Sequence, residues 1–203
     1  MRICFRLTGN LLFNISIHEI MQTALLIIDV QNDYFPGGKN ELIGSMDSLY
    51  QVKKLLNYFR MKNLPVFHVQ HLSNRSSATF FLPDTSGSMI HDNVKPIAGE
   101  TIIRKHYPNS FRETILNDTL KSMGINQLVI CGMMTHMCVD STIRAAYDLG
   151  YICTVADNAC ATKNLQINNE IIKADIIQKS FMSAFNGLFA SVKNTDEVIF
   201  SLK

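Results

Sequence analysis

The stretch LVICGMMTHMCVDSTIRAAYDLG, residues 128–150, has the pattern of a strand, a turn and a helix. Its apolar start, residues 128–131, predicts a buried strand, and residues 138–149 predict a helix that ends at Gly150. The turn between them brings Cys138 to the first turn of the predicted helix. A cysteine there either packs as a small apolar residue or reacts, and the rest of the sequence has to decide between the two.

Five further apolar runs and four further helical patterns surround this unit. Strands are predicted at residues 24–30, 66–70, 101–104, 151–156 and 188–192, and helices at residues 49–59, 111–123, 166–184 and from 195 onward. Strands that alternate with helices favour parallel pairing, because right-handed crossovers place the helices on both faces of the sheet. The sequence therefore predicts an α/β fold: a doubly wound, six-stranded, mostly parallel sheet with helices on both faces.

Three reactive side chains lie at the ends of predicted strands: Asp29 at the first, Lys105 at the third and Cys138 at the fourth. Ligands of parallel sheets bind beyond the carboxyl ends of the strands, so we expect these side chains to share one crevice. The helix start and Lys105 are expected to lower the pKa of the Cys138 thiol. Backbone N–H groups of the helix start would receive an oxyanion, and Asp29 would accept the thiol proton and later activate water.

Composition limits the class of protein. The chain has 203 residues, 47% of them hydrophobic, and a net charge of +2 without any block of like charges. This fits one domain, predicted over residues 23–203, that binds a small molecule rather than nucleic acid or a membrane. Residues 1–22 are interpreted as an N-terminal extension or as the result of a start codon assigned too early. Five cysteines without a C-x-x-C pair are typical of reduced thiols, which predicts a cytoplasmic protein.

Three motifs resemble, in order, those of the isochorismatase-like cysteine hydrolases, a family that includes nicotinamidases, N-carbamoylsarcosine amidase, and ureidoacrylate and streptothricin hydrolases. They are LLIIDVQNDYFPGG at residues 25–38, IIRKHYPNSFRETIL at residues 102–116 and VICGMMTHMCVDSTIRAAYDLGY at residues 129–151. The resemblance extends from about residue 23 to the C terminus. Three ordered motifs are far more specific than any single one of them.

The resemblance implies roles for individual residues. It implies a catalytic triad of Asp29, Lys105 and Cys138, and a cis peptide bond between Met133 and Met134. It also implies an oxyanion hole formed by the backbone N–H groups of Met134 and Cys138. His136 departs from the aspartate that many family members have at its position, which bears on the substrate rather than on the chemistry. The family is usually dimeric or tetrameric, so the resemblance also implies a homo-oligomer.

Candidate substrate-binding residues come from these motifs and from the loop after the second strand: Gln31, Tyr34, Phe35, His71, Phe80, Tyr107 and Phe111. Nicotinamidases bind a divalent ion through an Asp-x-His pair, and we find no such pattern here. His68 and His71 lie three residues apart on a predicted strand, so their side chains point to opposite faces unless the strand has ended. We therefore expect no metal ion and no other cofactor.

Four functional hypotheses follow. The first is a cysteine hydrolase that cleaves a C–N bond of a small amide, carbamoyl or ureido compound through a thioester. The second is an isochorismatase proper, which cleaves a vinyl ether and needs no thiol nucleophile. The third is a non-catalytic scaffold of the same fold that binds a small molecule. A nucleotide-binding protein is disfavoured, because no G-x-G-x-x-G follows the first strand.

Overall fold

A six-stranded parallel sheet forms the centre of the structure, a computed structural model that describes residues 22–203. The proposed N-terminal extension lies outside these residues, apart from Gln22. In chain order the strands of the described residues are β1 (Thr23–Ile28), β2 (Val66–His71), β3 (Thr101–Lys105), β4 (Gln127–Met133), β5 (Ile152–Ala161), β6 (Leu165–Ile167), β7 (Glu170–Ile172) and β8 (Ser191–Lys193). All of them except β6 and β7 belong to the six-stranded sheet. The order across the sheet is β3-β2-β1-β4-β5-β8, with every pair parallel. The predicted fold class is confirmed.

In residues 22–203, five α-helices cover the two faces of this sheet. They are α1 (Ser45–Met61), α2 (Leu116–Ser122), α3 (Asp140–Asp148), α4 (Ala174–Phe185) and α5 (Thr195–Ser201). Buried side chains of α1 and α5 join one core cluster, and those of α2, α3 and α4 join the other. In β1, Leu25 and Ile27 face the α1 side and Leu26 and Ile28 the opposite side. None of the helices in the described part of the chain is long and apolar enough to cross a membrane.

The direction of the chain across the sheet reverses between β1 and β4. From β1 the chain moves outward to β2 and β3, and it then returns to β4 beside β1 and continues outward to β5 and β8. Such a reversal leaves a crevice beyond the carboxyl ends of the two neighbouring strands. Asp29 follows β1 and the segment from Met134 to Cys138 follows β4, so both reach this crevice.

The helix predicted at residues 166–184 is wrong over its first part. Residues 165–172 form an antiparallel hairpin of β6 and β7, and α4 begins only at Ala174. Asn168 and Asn169 have φ values of 48° and 64°, and two successive left-handed residues are what a two-residue hairpin turn requires. The helix predicted at residues 111–123 also begins later, at Leu116. Local turns precede it, one of them closed by a 2.6 Å hydrogen bond from Thr114 Oγ1 to the Ser110 carbonyl.

Candidate active site

Three side chains converge beyond the carboxyl ends of the central strands. Nζ of Lys105 lies 2.8 Å from Oδ2 of Asp29, and both side chains are completely buried. A carboxylate oxygen of Asp29 and Sγ of Cys138 lie within 4.8 Å of each other. Because β2 separates β3 from β1, Lys105 crosses the end of β2 to reach Asp29. The structure thus brings together all three residues of the proposed triad.

Lys105 is held in place by two backbone carbonyl groups as well as by the carboxylate. Its ammonium donates hydrogen bonds of 3.1 Å to the carbonyl oxygens of Tyr107 and Pro108. Burial has the largest effect on the pKa of Lys105 and lowers it, but the charge of Asp29, the interaction with Cys138 and the hydrogen bonds to both together outweigh burial, and the net shift is upward. The lysine is therefore a permanent cation. Oδ1 of Asp29 has no hydrogen-bond partner among the described residues, which leaves it available to accept a proton.

The expected low pKa of the Cys138 thiol is wrong. Burial raises the pKa of Cys138 far above its ordinary value, Asp29 raises it further, and Lys105 only partly offsets them. The sequence argument considered the helix start and the lysine but not the loss of solvent, which depends on the whole fold. The thiol is consequently protonated at neutral pH, and it can react only if a base takes its proton.

The backbone around Cys138 differs from a regular helix start. Residues Thr135–Val139 form a π-helical turn, and α3 follows at Asp140. The Met134 carbonyl accepts hydrogen bonds from the N–H groups of Met137 and Val139. The peptide bond between Met133 and Met134 is cis. Single π-helical turns are rare and occur frequently at functional sites.

Gly132 allows β4 to approach β1 at this site. A Cβ atom on Gly132, which has φ 127°, would overlap the Ile28 carbonyl oxygen. Asp29, the next residue of that chain segment, has φ 50°, a left-handed conformation that aspartate adopts more readily than most residues. These two local conformations set Asp29 beside the segment that carries Cys138.

His71, at the end of β2, is a fourth member of the cluster. Its Nδ1 lies 3.3 Å from Lys105 Nζ and 3.9 Å from both Cys138 Sγ and Asp29 Oδ2. An ammonium group only donates, so Nδ1 is the acceptor in that contact and the ring proton resides on Nε2. Burial and the charge of Lys105 lower the pKa of His71 to about 4 although Asp29 opposes them, so the ring is neutral at neutral pH. In the sequence, the feature that pointed to His71 was its position at the end of a predicted strand, a position that it shares with Asp29, Lys105 and Cys138.

The buried side chain of Gln31 fixes the backbone of His71. Its Nε2 donates to the His71 carbonyl at 2.9 Å, and its Oε1 accepts from the His71 N–H at 2.8 Å. The same Nε2 donates to the Ser88 carbonyl at 2.8 Å. Gln31 thus joins β2 to the loop that follows it, and it does not line the cavity described next.

A cavity of about 190 Å³ opens beside Cys138. Its lining comprises Tyr34, His71, Ser73, Arg75, Ser77, Ala78, Thr79, Phe80, Phe81, Pro108, Met134, Met137 and Cys138. Three of the predicted substrate-binding residues are among them: Tyr34, His71 and Phe80. The loop at residues 73–81 supplies more than half of the wall, and its Phe-Phe pair within a polar segment was the signal that would have identified it.

The other predicted substrate-binding residues do not line this cavity. Phe35 packs against His91, with ring centroids 4.4 Å apart, and Phe111 stacks on Tyr151 at 5.9 Å. The Tyr107 ring lies under the guanidinium of Arg112, 3.7 Å from its centroid. Their roles in substrate binding stay predictions, because aromatic residues near catalytic motifs also serve the core, and sequence alone does not separate the two uses.

His68 and His71, the two histidines considered above as metal ligands, belong to different side-chain clusters. His68 Nε2 lies 2.8 Å from Glu100 Oε2, and Arg60 donates to the same carboxylate, on the α1 side of the sheet. Asp29, His71 and Cys138 do lie close enough together to form a set of metal ligands. However, the ammonium of Lys105 already contacts Asp29 and His71 at 2.8 and 3.3 Å, and its charge opposes the binding of a cation there.

Known proteins are similar to this chain in both sequence and fold. A family model described as an isochorismatase domain matches residues 23–174. The chain belongs to the isochorismatase family. The isochorismatase-family protein YddQ of Bacillus subtilis is 49% identical over 176 residues, which cover 87% of this chain and 98% of that protein. A solved structure from Oleispira antarctica, named as an isochorismatase hydrolase, is 47% identical with a TM-score of 0.85 and covers 88% of this chain and 96% of that one.

A third relative carries the name of a specific enzyme. The ureidoacrylate amidohydrolase RutB of Caulobacter segnis is 26% identical over 170 residues, covering 68% of this chain and 71% of that protein. Together with the family match, this makes the chain an enzyme, an isochorismatase-family hydrolase.

Proposed function

We propose that this isochorismatase-family hydrolase cleaves a C–N bond of a small amide, carbamoyl or ureido compound through a thioester on Cys138, without a metal ion. The observation that carries the proposal is the pairing of a protonated, buried thiol with the Asp29 carboxylate at one cavity, where Lys105 balances the charge of the carboxylate. The amidohydrolase name of the RutB relative supports the same reaction class.

In the first half of the reaction, Asp29 takes the proton of Cys138 while Sγ attacks the carbonyl carbon of the substrate. As Asp29 is neutralised by this proton, the negative charge appears on the carbonyl oxygen, where the N–H groups of Met134 and Cys138 would receive it. A donor of this kind typically contributes roughly 2.7–4 kcal/mol. When the tetrahedral intermediate collapses, the C–N bond breaks and the proton held by Asp29 passes to the departing nitrogen. Ammonia or an amine leaves, and the acyl group remains on Sγ.

In the second half, the Asp29 carboxylate takes a proton from water, and the hydroxide attacks the thioester. The C–S bond breaks and the thiolate recovers the proton from Asp29. The resting thiol and carboxylate are thereby restored. Lys105 stays charged throughout, and it holds Asp29 in the same place in both steps.

The test is a panel of small amides, ureido acids and isochorismate, assayed for release of ammonia and of pyruvate. Ammonia release is expected from the wild-type protein and from Cys153→Ala, since Cys153 is buried away from the cavity. Cys138→Ala and Asp29→Asn are expected to lose turnover, because the first lacks the nucleophile and the second lacks the base. Mass spectrometry of Cys138 during turnover should detect the acyl adduct.

Two results would count against the proposal. Turnover by Cys138→Ala at a rate near that of the wild type would exclude covalent catalysis. Release of pyruvate from isochorismate without any amide hydrolysis would favour vinyl-ether cleavage, the alternative hydrolase chemistry.

A further inference from the structure

Among the described residues that line the cavity beside Cys138, Arg75 alone carries a cation without a partner. Among its lining residues, none is acidic, and His71 is neutral. Arg75 supplies the only permanently charged side chain, because Lys105 lies behind the wall in its pair with Asp29. Within residues 22–203 the Arg75 guanidinium has neither an ion pair nor a hydrogen-bond partner. Five N–H donors of an arginine therefore remain unused at the mouth of a reactive cavity.

The loop that carries Arg75 is tied to the body of the protein at both ends. The Leu72 N–H donates to the Lys105 carbonyl at 2.9 Å, and the Ser73 N–H donates to the Phe81 carbonyl at 2.8 Å. The Phe81 N–H in turn donates to the buried Asp33 carboxylate at 2.7 Å. A hydrogen bond from the Ala78 N–H to the Arg75 carbonyl closes the tip of the loop. The position of the arginine is thus set by contacts that begin next to the triad.

The remaining wall of the cavity combines aromatic and hydroxyl-bearing side chains. Tyr34 and Phe81 pack with ring centroids 4.6 Å apart, and Phe80 lies 5.0 Å from Phe81. Three hydroxyl-bearing residues from the same loop as Arg75 also line the cavity: Ser73, Ser77 and Thr79. The volume of about 190 Å³ is below the roughly 300–1,000 Å³ of pockets for drug-sized ligands, so the substrate is small.

We infer that the substrate carries a carboxylate and that Arg75 binds it while the scissile C–N group faces Cys138. This inference rests on the proposed hydrolysis and specifies its substrate class: a compact acid with an amide, carbamoyl or ureido group and a short apolar segment between the two ends. The planar guanidinium matches a carboxylate with two parallel hydrogen bonds, and the hydroxyl groups of the loop complete the polar end of the site. Arg75 is then a specificity-determining residue, not a catalytic one.

Binding to Cys138→Ala, which cannot turn over, tests this inference without catalysis. Calorimetry would compare small ureido and N-carbamoyl acids with analogues in which a hydroxymethyl group replaces the carboxylate. The acids should bind about 10- to 100-fold more tightly than their neutral analogues, the range expected for one charge-assisted bidentate contact. Arg75→Met in the same background should remove the preference, and Arg75→Lys should keep part of it because a point charge lacks the fork geometry.

Arg104→Met is the matched control, since Arg104 is an exposed arginine of β3 outside this cavity, and it should leave the preference for acids unchanged. The inference is overturned if neutral analogues bind as tightly as the acids, if no acid binds, or if the preference survives Arg75→Met. Ammonia release by the wild-type protein is measured on the same compounds. Acids that bind through Arg75 but are not hydrolysed would refute the proposed reaction while supporting the anion site.

Discussion

Lys105 Nζ and Asp29 Oδ2 form an ion pair of 2.8 Å in which neither side chain is exposed. Removing two charges from water is costly, and a buried pair of this kind is weak evidence of a contribution to stability. Its position beside Cys138 gives it a different use. The ammonium balances a carboxylate that must be charged before each proton transfer, and the carboxylate in turn keeps the ammonium charged despite its burial.

Lys105→Met should therefore damage both stability and activity. The substitution leaves an unpaired carboxylate in a buried site, which typically costs about 3–5 kcal/mol of unfolding free energy. A buried carboxylate without a counter-charge favours its protonated form, which limits this loss, and a protonated Asp29 cannot accept the proton of Cys138. We expect kcat to fall by about 10²- to 10⁴-fold, the usual contribution of a general base. Urea unfolding and steady-state kinetics measure the two effects.

The double variant Asp29→Asn/Lys105→Met separates the two effects. It removes both charges, so most of the lost stability should return while the activity stays absent. Full activity in Lys105→Met would show that Asp29 needs no cation. A double variant as unstable as Lys105→Met would show that packing, not charge, explains the loss of unfolding free energy.

Gly132→Ala should disturb the site more than the same change at Gly150. Both glycines have positive φ, so alanine costs about 1–2 kcal/mol at either position. At Gly150 a Cβ meets nothing within 4 Å, whereas at Gly132 it would overlap the Ile28 carbonyl. We expect Gly132→Ala to lose about 1–3 kcal/mol more than Gly150→Ala, as overpacking does, and to lose activity because Ile28 precedes Asp29. Equal unfolding free energies for the two variants would contradict the close approach.

The sequence predicted the sheet because its strands are encoded locally. A strand covered on both faces requires a continuous apolar run, and residues 24–30 and 128–131 show one. Parallel pairing then places Asp29, Lys105 and Cys138 at one edge, so the candidate cluster followed from topology. The hairpin at residues 165–172 was missed because its apolar residues also fit a helical period, and the deciding signal was the Asn168-Asn169 pair.

The walls of the cavity and the ionisation of its groups were not predictable in the same way. Phe35 and Phe81 are both buried aromatics near the site, but only Phe81 lines the cavity. That difference depends on how the loop at residues 73–81 folds back, which involves contacts with Asp33 from a distant part of the sequence. The pKa of Cys138 likewise depends on how much solvent the completed fold excludes, and the position of the residue on a helix gave the wrong direction.

Activity on the identified substrate should survive exhaustive chelation. The candidate ligands Asp29, His71 and Cys138 already surround the Lys105 ammonium, whose charge repels a divalent ion. Dialysis against EDTA followed by metal analysis and kinetics measures this, with a zinc-dependent hydrolase as the positive control. Loss of activity that a divalent ion restores would show that the cluster binds metal in spite of the lysine.

His71 should make the protein less stable in mild acid. Its pKa is about 4 in the folded protein and 6.5 ordinarily, so between these pH values the unfolded chain binds a proton that the folded chain does not. The unfolding free energy must then fall as the pH is lowered through this window, by roughly 3 kcal/mol in total, and it levels off below about pH 4. In His71→Gln this part of the pH dependence is absent. The difference in unfolding free energy between wild type and variant should shrink or change sign from pH 7 to pH 4, while contributions from His68 and Glu100 cancel because both proteins contain them. A wild-type-minus-variant difference that stays constant with pH would mean that His71 titrates in the folded protein as it does in the unfolded chain, and that the ring beside Cys138 is charged in mild acid.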